Sequence, residues 1–376
     1  MPSPLLALIA DRIRAHGPMT VAEYVELALY HAEHGYYASA SRRSGGAGDF
    51  FTSVDAGPLF GELLAVQVAE MQGHLSPPFD LVEAGAGNGR LSRDLLDHLE
   101  RLSPESYAAT RLHLVERSTA ARAEQVEVLG RHAARLATAS PSLPPSVHGI
   151  VVANELLDAL PPHLVVMRHD GLREVCVGVA HGGELVPIER ELSTPDVEAY
   201  LARVGARLEP GWFAEVNLAA VAWVRQAAAA LHQGFLLLLD YGHEARELYS
   251  DRHPAGTLAT FKRHAVEDRA AGPGWLREPG ERDITSHVDL TAVRLATEAA
   301  GLDTLGVVDQ TYFLLGLGLA GGIHEPRGNG MPVKRRLALK TLVLPGGLGS
   351  THKAMVFGRG VGRPRLQGLS GGGRLT

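Results

Sequence analysis

Short apolar runs alternate with helical patterns from residue 79 onward. The runs predict strands at 79–84, 111–116, 148–153 and 234–240, and the 3.6-residue spacing between them predicts helices at 89–101, 118–131 and 214–232. All four strands are rich in Val, Leu or Ile, as strands buried on both faces of a sheet are. We therefore expect an α/β fold with a doubly wound, mostly parallel, Rossmann-like sheet.

The segments outside this pattern predict the rest of the organisation. Thr20 and Glu23 are spaced as a helix capping box, and a hairpin is predicted to turn at 169–171. The apolar run 312–317 is interpreted as a core strand, with a partner surface as the alternative. Three regions are predicted: a helical N-terminal extension with a glycine-rich loop at 1–74, a main domain at 75–358 with an inserted α+β subdomain at about 161–213, and a disordered tail at 359–376.

Composition narrows the classes of partner. The net charge of -6 provides no basic field for nucleic acid. No apolar run approaches the roughly 20 residues that cross a membrane, and the first residues do not form a signal peptide, so we expect a cytoplasmic protein. The single cysteine, Cys176, and the 18 histidines show no metal-ligand spacing, so no metal is predicted. The sequence does not indicate an oligomeric state.

A glycine-rich loop carries the clearest chemical signal. The first predicted strand ends near Glu83, and Gly85, Gly87 and Gly89 follow before a helix begins. Glycines let the backbone approach a ligand closely, and the helix N-terminus favours an anionic group. A dinucleotide fingerprint would need a third glycine at position 90, which is Arg90. The spacing instead favours a loop that holds the methionine part of S-adenosylmethionine, with Glu83 among its ligands.

The second predicted strand ends in an acid, Glu116. A carboxylate at this place in an open α/β sheet can accept both hydroxyls of a cofactor ribose. The alternative is an acid that caps the helix after Ser118. Together the loop and the acid predict that the chain binds S-adenosylmethionine.

Polar residues also follow the third predicted strand, at the catalytic edge of such a sheet. Asn154 is predicted to bind the cofactor, and Glu155 with Asp158 is the predicted catalytic pair. Methyl transfer depends mainly on positioning, but a nitrogen acceptor must still lose a proton. If the acceptor is a guanidinium, carboxylates must orient it and accept that proton. Asp158 alone could equally cap a short helix that ends at Pro161.

Further residues are predicted to line the same cleft. Those predicted to close over the cofactor, or alternatively to cap the next helix, are Asp49, Thr52 and Ser53. Those predicted to contact the substrate are Asp240, Tyr241 and His287. Asp289 is expected to cap a helix at 290–300.

Several blocks of sequence, in order, resemble the MidA-like methyltransferases, which include a mitochondrial complex I assembly factor of the arginine methyltransferase type. The blocks are Tyr30 with Gly35-Tyr36-Tyr37, Gly48-Asp49-Phe50 with Thr52-Ser53, Phe60-Gly61-Glu62, Glu83 with the glycines, Asn154-Glu155 with Asp158-Ala159-Leu160-Pro161, Asp240-Tyr241-Gly242, His264, Asp283-Ile284-Thr285 with His287-Val288-Asp289, and Gln310 with Phe313-Leu314. The chain departs from the family loop at Ala86 and Asn88, where proline and a basic residue are usual.

The resemblance implies a class I methyltransferase fold, S-adenosylmethionine as donor, and a protein arginine side chain as acceptor. Two other functions are compatible with the residues. One is methylation of a nitrogen or oxygen of a small molecule, with the insertion closing a compact pocket. The other is a non-catalytic assembly factor that keeps the fold and the cofactor.

Overall fold

The computed structural model of the chain describes residues 3–38, 52–262, 265–266, 273–320, 332–344 and 351–370. Within these residues the α-helices are α1 (Pro4–His16), α2 (Val21–Tyr30), α3 (Leu59–Gln72), α4 (Arg90–Leu102), α5 (Pro104–Ala109), α6 (Thr119–Leu129), α7 (Asp196–Val204), α8 (Leu218–Ala230), α9 (Ala245–Leu248), α10 (Leu290–Ala299), α11 (Gln310–Ala320) and α12 (Val333–Val343). None of these helices has the length and apolar composition that a membrane span requires. The strands described are β1 (Met19–Thr20), β2 (Phe79–Ala84), β3 (Thr110–Val115), β4 (Leu136–Ser140), β5 (Val147–Asn154), β6 (His163–Arg168), β7 (Gly171–Val179), β8 (Leu185–Arg190), β9 (Phe213–Val216), β10 (Leu231–His243), β11 (Ala259–Lys262), β12 (Ala265–Val266), β13 (Asp283–Thr285), β14 (Val288–Asp289), β15 (Asp303–Asp309) and β16 (His352–Arg359).

The chain divides into two units, each made of three separate stretches of sequence. The first unit comprises Met1–Phe50, Leu157–Val224 and Gly242–Ala296, and the second comprises Phe51–Leu156, Arg225–Tyr241 and Thr297–Thr376. The predicted boundaries differ, because the N-terminal extension and the insertion were predicted as separate regions, whereas stretches of both belong to the first unit. In the structure β1 pairs with β7, so the N-terminal segment adds a strand to the inserted sheet. Local sequence patterns do not specify such a long-range pairing.

The sheet of the second unit runs in the order β15-β16-β10-β5-β2-β3-β4. β2 pairs in parallel with both β3 and β5, and β5 pairs in parallel with β10. The order reverses between β2 and β5, so the sheet is doubly wound and has its switch point there. This confirms the predicted α/β, Rossmann-like class. Ligands of such sheets bind beyond the carboxyl ends of the strands at the switch point.

Apolar burial explains why this sheet lies at the centre of the second unit. β2 is buried along its whole length, and its Leu81 side chain joins a core that includes residues of α3, α4 and β10. Gly61 lets α3 approach α4 closely, because a Cβ at this position would lie 2.7 Å from Asp94 Cβ. The predicted strand at 79–84 is confirmed residue for residue, and the strands predicted at 111–116, 148–153 and 234–240 are confirmed with ends shifted by one to three residues.

The first unit is built on a five-stranded sheet in the order β1-β7-β6-β9, with β8 paired to β7. The predicted capping box begins α2: Glu23 N donates to Thr20 Oγ1 at 3.1 Å, and Thr20 N donates to Glu23 Oε2 at 2.9 Å. The α1 and α2 side chains share a core with β6 and β7. Within it the Tyr24 hydroxyl donates to the Trp275 carbonyl at 2.8 Å.

One predicted helix begins later than expected, and one predicted strand is wrong in type. The helix predicted at 214–232 begins with β9, because Phe213 to Val216 pairs with β6, and α8 follows. The run 312–317 lies in α11 and not in a strand. A short apolar run does not distinguish a strand from a buried helix, so only the tertiary environment decides.

The predicted disordered tail is also corrected over residues 359–370. Leu366 is buried, and Gln367 N donates to Glu70 Oε2 at 3.0 Å. Gly368 N donates to Gln67 Oε1 at 3.2 Å. These contacts with α3 fix the segment despite its Gly and Arg content. Residues 371–376 lie outside the described part of the chain.

Candidate functional site

The glycine loop lies at the carboxyl end of β2, beside the switch point. Gly85, Gly87 and Gly89 all have positive φ, at 73°, 51° and 85°. Gly85 N donates to the Val115 carbonyl at 2.9 Å, which fixes the start of the loop. A Cβ at Gly87 would meet no described atom within 4 Å. The loop therefore borders open space in which a ligand can contact the backbone.

Glu116 holds the middle of this loop. Its Oε2 accepts a hydrogen bond from Gly87 N at 2.9 Å, and its Oε1 accepts one from Ser118 N at 2.7 Å. Gln125 Nε2 donates to the Gly87 carbonyl at 2.8 Å. Each carboxylate oxygen has two lone pairs. Glu116 can therefore shape the loop and still accept a ligand hydroxyl, so the predicted ribose role and the capping alternative are compatible.

Glu83, which is predicted to bind the cofactor, contacts α4 in the structure. Its carboxylate accepts hydrogen bonds from Ser92 N at 3.0 Å and from the Ser92 hydroxyl, in the first turn of α4. Burial raises the pKa of Glu83 to about 7, even though the hydrogen bonds from Ser92 lower it. The side chain thus fastens β2 to α4. The sequence showed only that an acid ends the strand, and the direction of the side chain depends on the pleat.

Asn154 ends β5 and Glu155 follows it, on the other side of the switch point. Glu155 has φ +48°, and its backbone N donates to the Leu239 carbonyl at 2.8 Å. Its Oε1 accepts hydrogen bonds from Ser53 N at 2.9 Å and from Asn154 Nδ2 at 3.4 Å. Glu155 Oε2 and Asn154 Oδ1 are buried, and neither accepts a hydrogen bond from the described residues. Two buried acceptors are therefore left for a ligand that can donate.

His352 is a site residue that the sequence analysis missed. Its Nε2 lies 3.6 Å from Glu155 Oε1, and its ring packs on Tyr241 with centroids 5.4 Å apart. The apolar residues after it could have predicted β16, and strand pairing then places His352 opposite Tyr241. Asp240, at the same edge, accepts hydrogen bonds from Leu156 N at 3.1 Å and from Tyr241 N at 2.9 Å. The predicted substrate residues Asp240 and Tyr241 are thus both buried at this edge of the sheet.

Thr52 and Ser53 approach the same place from a short 3-10 helix, residues 53–56. Thr52 N and its hydroxyl both donate to Asp55 Oδ2, at 3.1 and 3.0 Å, in a capping box. Asp55 also forms an ion pair with Arg90, the first residue of α4. The capping alternative for Thr52 is therefore seen, while the Ser53 backbone contacts Glu155. Asp49 lies outside the described residues.

The remaining predicted site residues belong to the first unit. Asp158 is buried, and its Oδ2 accepts a hydrogen bond from the Thr285 hydroxyl at 2.8 Å. His287 is half-buried, and its backbone N donates to the Thr257 hydroxyl at 3.0 Å. Asp289 caps α10 as expected, with Ala292 N donating to its Oδ1 at 3.0 Å. The predicted pairing of Glu155 with Asp158 stays a prediction.

The second unit offers the groups that S-adenosylmethionine needs. Its ribose hydroxyls and its ammonium group are donors, which match Glu116 and Asn154 Oδ1. Its carboxylate suits the N-terminus of α4. The open space beside Gly87 is the cradle that a Cβ would fill. The residues present therefore fit the cofactor.

Comparison with known proteins agrees with this geometry. Residues 63–308 match the model of a family described as "Putative S-adenosyl-L-methionine-dependent methyltransferase". The mouse mitochondrial protein arginine methyltransferase NDUFAF7 is 30% identical over 345 residues, which are 84% of this chain and 74% of that protein. Its Drosophila melanogaster homologue is 29% identical over 93% of this chain and 84% of its own.

A solved structure is similar over nearly the whole length. It is the crystal structure of a "likely methyl transferase" from Burkholderia thailandensis bound to S-adenosyl-homocysteine, with a TM-score of 0.88 and 30% identity. The match covers 99% of this chain and 98% of that one. The resemblance to the MidA-like proteins is confirmed, and the cofactor is S-adenosylmethionine. Since the matched residues build the glycine loop and the edge at Asn154 and Glu155, the chain belongs to this family of S-adenosyl-L-methionine-dependent methyltransferases.

Proposed function

We propose that the chain transfers a methyl group from S-adenosylmethionine to a guanidino nitrogen of an arginine side chain in a protein. The observation that carries the proposal is Glu155, a buried carboxylate whose Oε2 accepts no hydrogen bond from the described residues. The mouse and fly relatives, named protein arginine methyltransferases, support the same acceptor. We place the reaction in the cytoplasm, as the sequence predicts, although those relatives are named mitochondrial.

A guanidinium suits the free side of Glu155. It presents five N–H donors in one plane and keeps its proton at neutral pH, because its pKa is above about 12. The Ser53 N–H holds Glu155 Oε1, so the carboxylate keeps a fixed orientation while Oε2 receives the substrate. Such a fixed acceptor both aligns the nitrogen and favours the build-up of its lone pair.

The transfer needs no redox partner. When bound, S-adenosylmethionine would supply an electrophilic methyl group, so that a new N–C bond would form as the C–S bond breaks and its electron pair returns to sulfur. The nitrogen loses one proton, for which Glu155 is the acceptor at Oε2. His352, 3.6 Å from Glu155 Oε1, is placed to pass this proton on or to stabilise the carboxylate. Asp158 remains a predicted second acid.

The test separates binding from transfer. Calorimetry measures S-adenosylmethionine binding to the wild-type chain, to Glu155→Gln and to Glu127→Gln, which removes an exposed acid on α6 as the matched control. The same proteins are then incubated with methyl-labelled S-adenosylmethionine and a cell lysate, which is separated into macromolecular and small-molecule fractions. Amino-acid analysis identifies the labelled product.

We expect label in methylated arginine of the protein fraction for the wild type and for Glu127→Gln. Glu155→Gln should bind the cofactor with less than about a tenfold change but transfer at least 100-fold more slowly, since general-base contributions are about 10²–10⁴. Label confined to small molecules would overturn the acceptor in favour of a small-molecule methyltransferase. Cofactor binding without label in either fraction would indicate a non-catalytic assembly factor. Loss of binding in Glu155→Gln would make Glu155 a cofactor ligand.

A further inference from the structure

Three histidines of the first unit lie together although they are distant in sequence. They are His243 at the end of β10, His253 after α9, and His287 just before β14. Their ring centroids are 4.9, 5.1 and 5.9 Å apart, and one ring nitrogen from each lies within 4.8 Å of the other two. All three are half-buried. No linear motif marked this cluster, because the spacing between its members is set by the fold.

The backbone fixes the three positions independently of the rings. β14 pairs in parallel with the end of β10, with His243 opposite Asp289, so His287 lies beside that strand end. His287 N donates to the Thr257 hydroxyl at 3.0 Å. His253 N donates to the Ser250 carbonyl at 3.0 Å in a tight turn. The cluster therefore does not depend on attraction between the imidazoles themselves.

Glu247 orients two of the rings. His253 Nδ1 lies 3.1 Å from the Glu247 backbone carbonyl. A carbonyl only accepts, so Nδ1 carries the hydrogen, and Nε2 is the nitrogen that can bind a metal ion. His243 Nδ1 lies 3.5 Å from Glu247 Oε2. In metal centres a carboxylate often contacts the ring nitrogen that does not bind the metal. Histidines that bind metals usually donate their other ring N–H to a carbonyl or a carboxylate in this way.

We propose that His243, His253 and His287 bind one divalent transition-metal ion of the zinc type, with a fourth position open to water. Imidazole nitrogens suit Zn²⁺, and three histidines with an open position form an established type of zinc site. Zn–N bonds of about 2.0–2.1 Å in a tetrahedron bring nitrogens to about 3.3 Å from one another. Side-chain rotation of the half-buried rings closes the remaining gap from 4.8 Å.

The test measures metal binding directly and uses no methyl transfer. The full chain, freed of metal by a chelator and dialysis, is titrated with ZnCl₂ by calorimetry at pH 7.5. The same titration is made on His253→Ala, on His253→Gln and on two matched controls, His169→Ala and His181→Ala, which alter exposed histidines of the same unit. Circular dichroism confirms that each variant is folded, and CoCl₂ is added as a spectroscopic probe of coordination geometry.

We expect one tight Zn²⁺ site in the wild type and in both controls, weakened at least 100-fold in both His253 variants. The change should exceed the 10–100-fold loss typical of removing a residue that only orients a ligand. Co²⁺ should give visible bands typical of four-coordinate geometry, and MgCl₂ should not bind, because Mg²⁺ prefers oxygen ligands. Equal affinity in the His253 variants and the controls, or no Zn²⁺ binding to the wild type, would overturn the proposal and leave an aromatic cluster of three imidazole rings.

Discussion

Glu83 gives a pH-dependent contribution to stability that can be calculated from its surroundings. Only 7% of the residue is exposed, and burial raises the pKa of its carboxyl from 4.5 to about 7 in the folded chain. The unfolded chain therefore loses this proton at lower pH than the folded chain. The contribution of Glu83 to the free energy of unfolding is thus highest below about pH 4.5 and falls as the pH rises to about 7. The difference is worth about 3 kcal/mol, at about 1.4 kcal/mol for each tenfold change in proton affinity.

Glu83→Gln should remove this dependence. The glutamine oxygen can accept from Ser92 as the protonated carboxyl does, so the two proteins should have similar unfolding free energies near pH 4.5. By pH 8 we expect the variant to be more stable than the wild type by about 3 kcal/mol. Urea unfolding followed by far-ultraviolet circular dichroism gives both free energies at each pH. All other titrating groups are shared by the two proteins and cancel in the difference.

The matched control is Glu127→Gln, which removes an exposed acid from the same unit. Its difference from the wild type should change by less than about 0.5 kcal/mol over the same pH range, as is usual for surface substitutions. Amide hydrogen exchange of the peptide that covers β2 and α4 assigns the effect to this part of the sheet. A Glu83→Gln difference that does not vary with pH, or that falls as the pH rises, would refute the reasoning.

Two further predictions concern single contacts. Gly87→Val should abolish S-adenosylmethionine binding in calorimetry, because its side chain enters the open space beside the loop. The control is Gly130→Val, which has φ +53° and equally open surroundings; it should bind the cofactor normally and reports the backbone cost alone. Equal loss of binding in both variants would assign the effect to backbone strain. Thr285→Val removes a hydrogen-bond donor to Asp158 and should lower the unfolding free energy of the first unit by about 1–3 kcal/mol. Tryptophan fluorescence can follow this unfolding, because all three tryptophans belong to that unit. An unchanged unfolding midpoint would show that this hydrogen bond adds no net stability.

The central sheet could be predicted from the sequence because its signal is local. Strands such as 79–84 are continuous apolar runs, and burial on both faces requires such runs. The glycine loop was equally predictable, since positive φ at Gly85, Gly87 and Gly89 explains why those positions are glycine. The helix in place of the predicted strand at 312–317 shows the limit of this reasoning, because a fully apolar segment suits either structure.

The candidate site was predicted only in part, for a different reason. Position along a strand showed that Glu83, Glu116 and Glu155 lie near the loop, but not which groups their oxygens contact. Glu83 is directed to Ser92 by the pleat, and Glu155 is directed to Ser53 by its positive φ. His352 was missed because its place depends on pairing between strands about 110 residues apart, which no local pattern encodes.

The position of β16 has a consequence for biosynthesis. This strand occupies residues 352–359, yet it lies inside the sheet, between β10 and β15, and is antiparallel to both. A nascent chain emerges from its N-terminal end, so β10 and β15 are made well before the strand that joins them. Until then each has an unpaired edge, which is a place where chains aggregate. A stop codon shortly before residue 352 would therefore leave a gap in the sheet and also remove His352. The growing chain cannot complete its central sheet or this edge of the site until residues 352–359 have been synthesised.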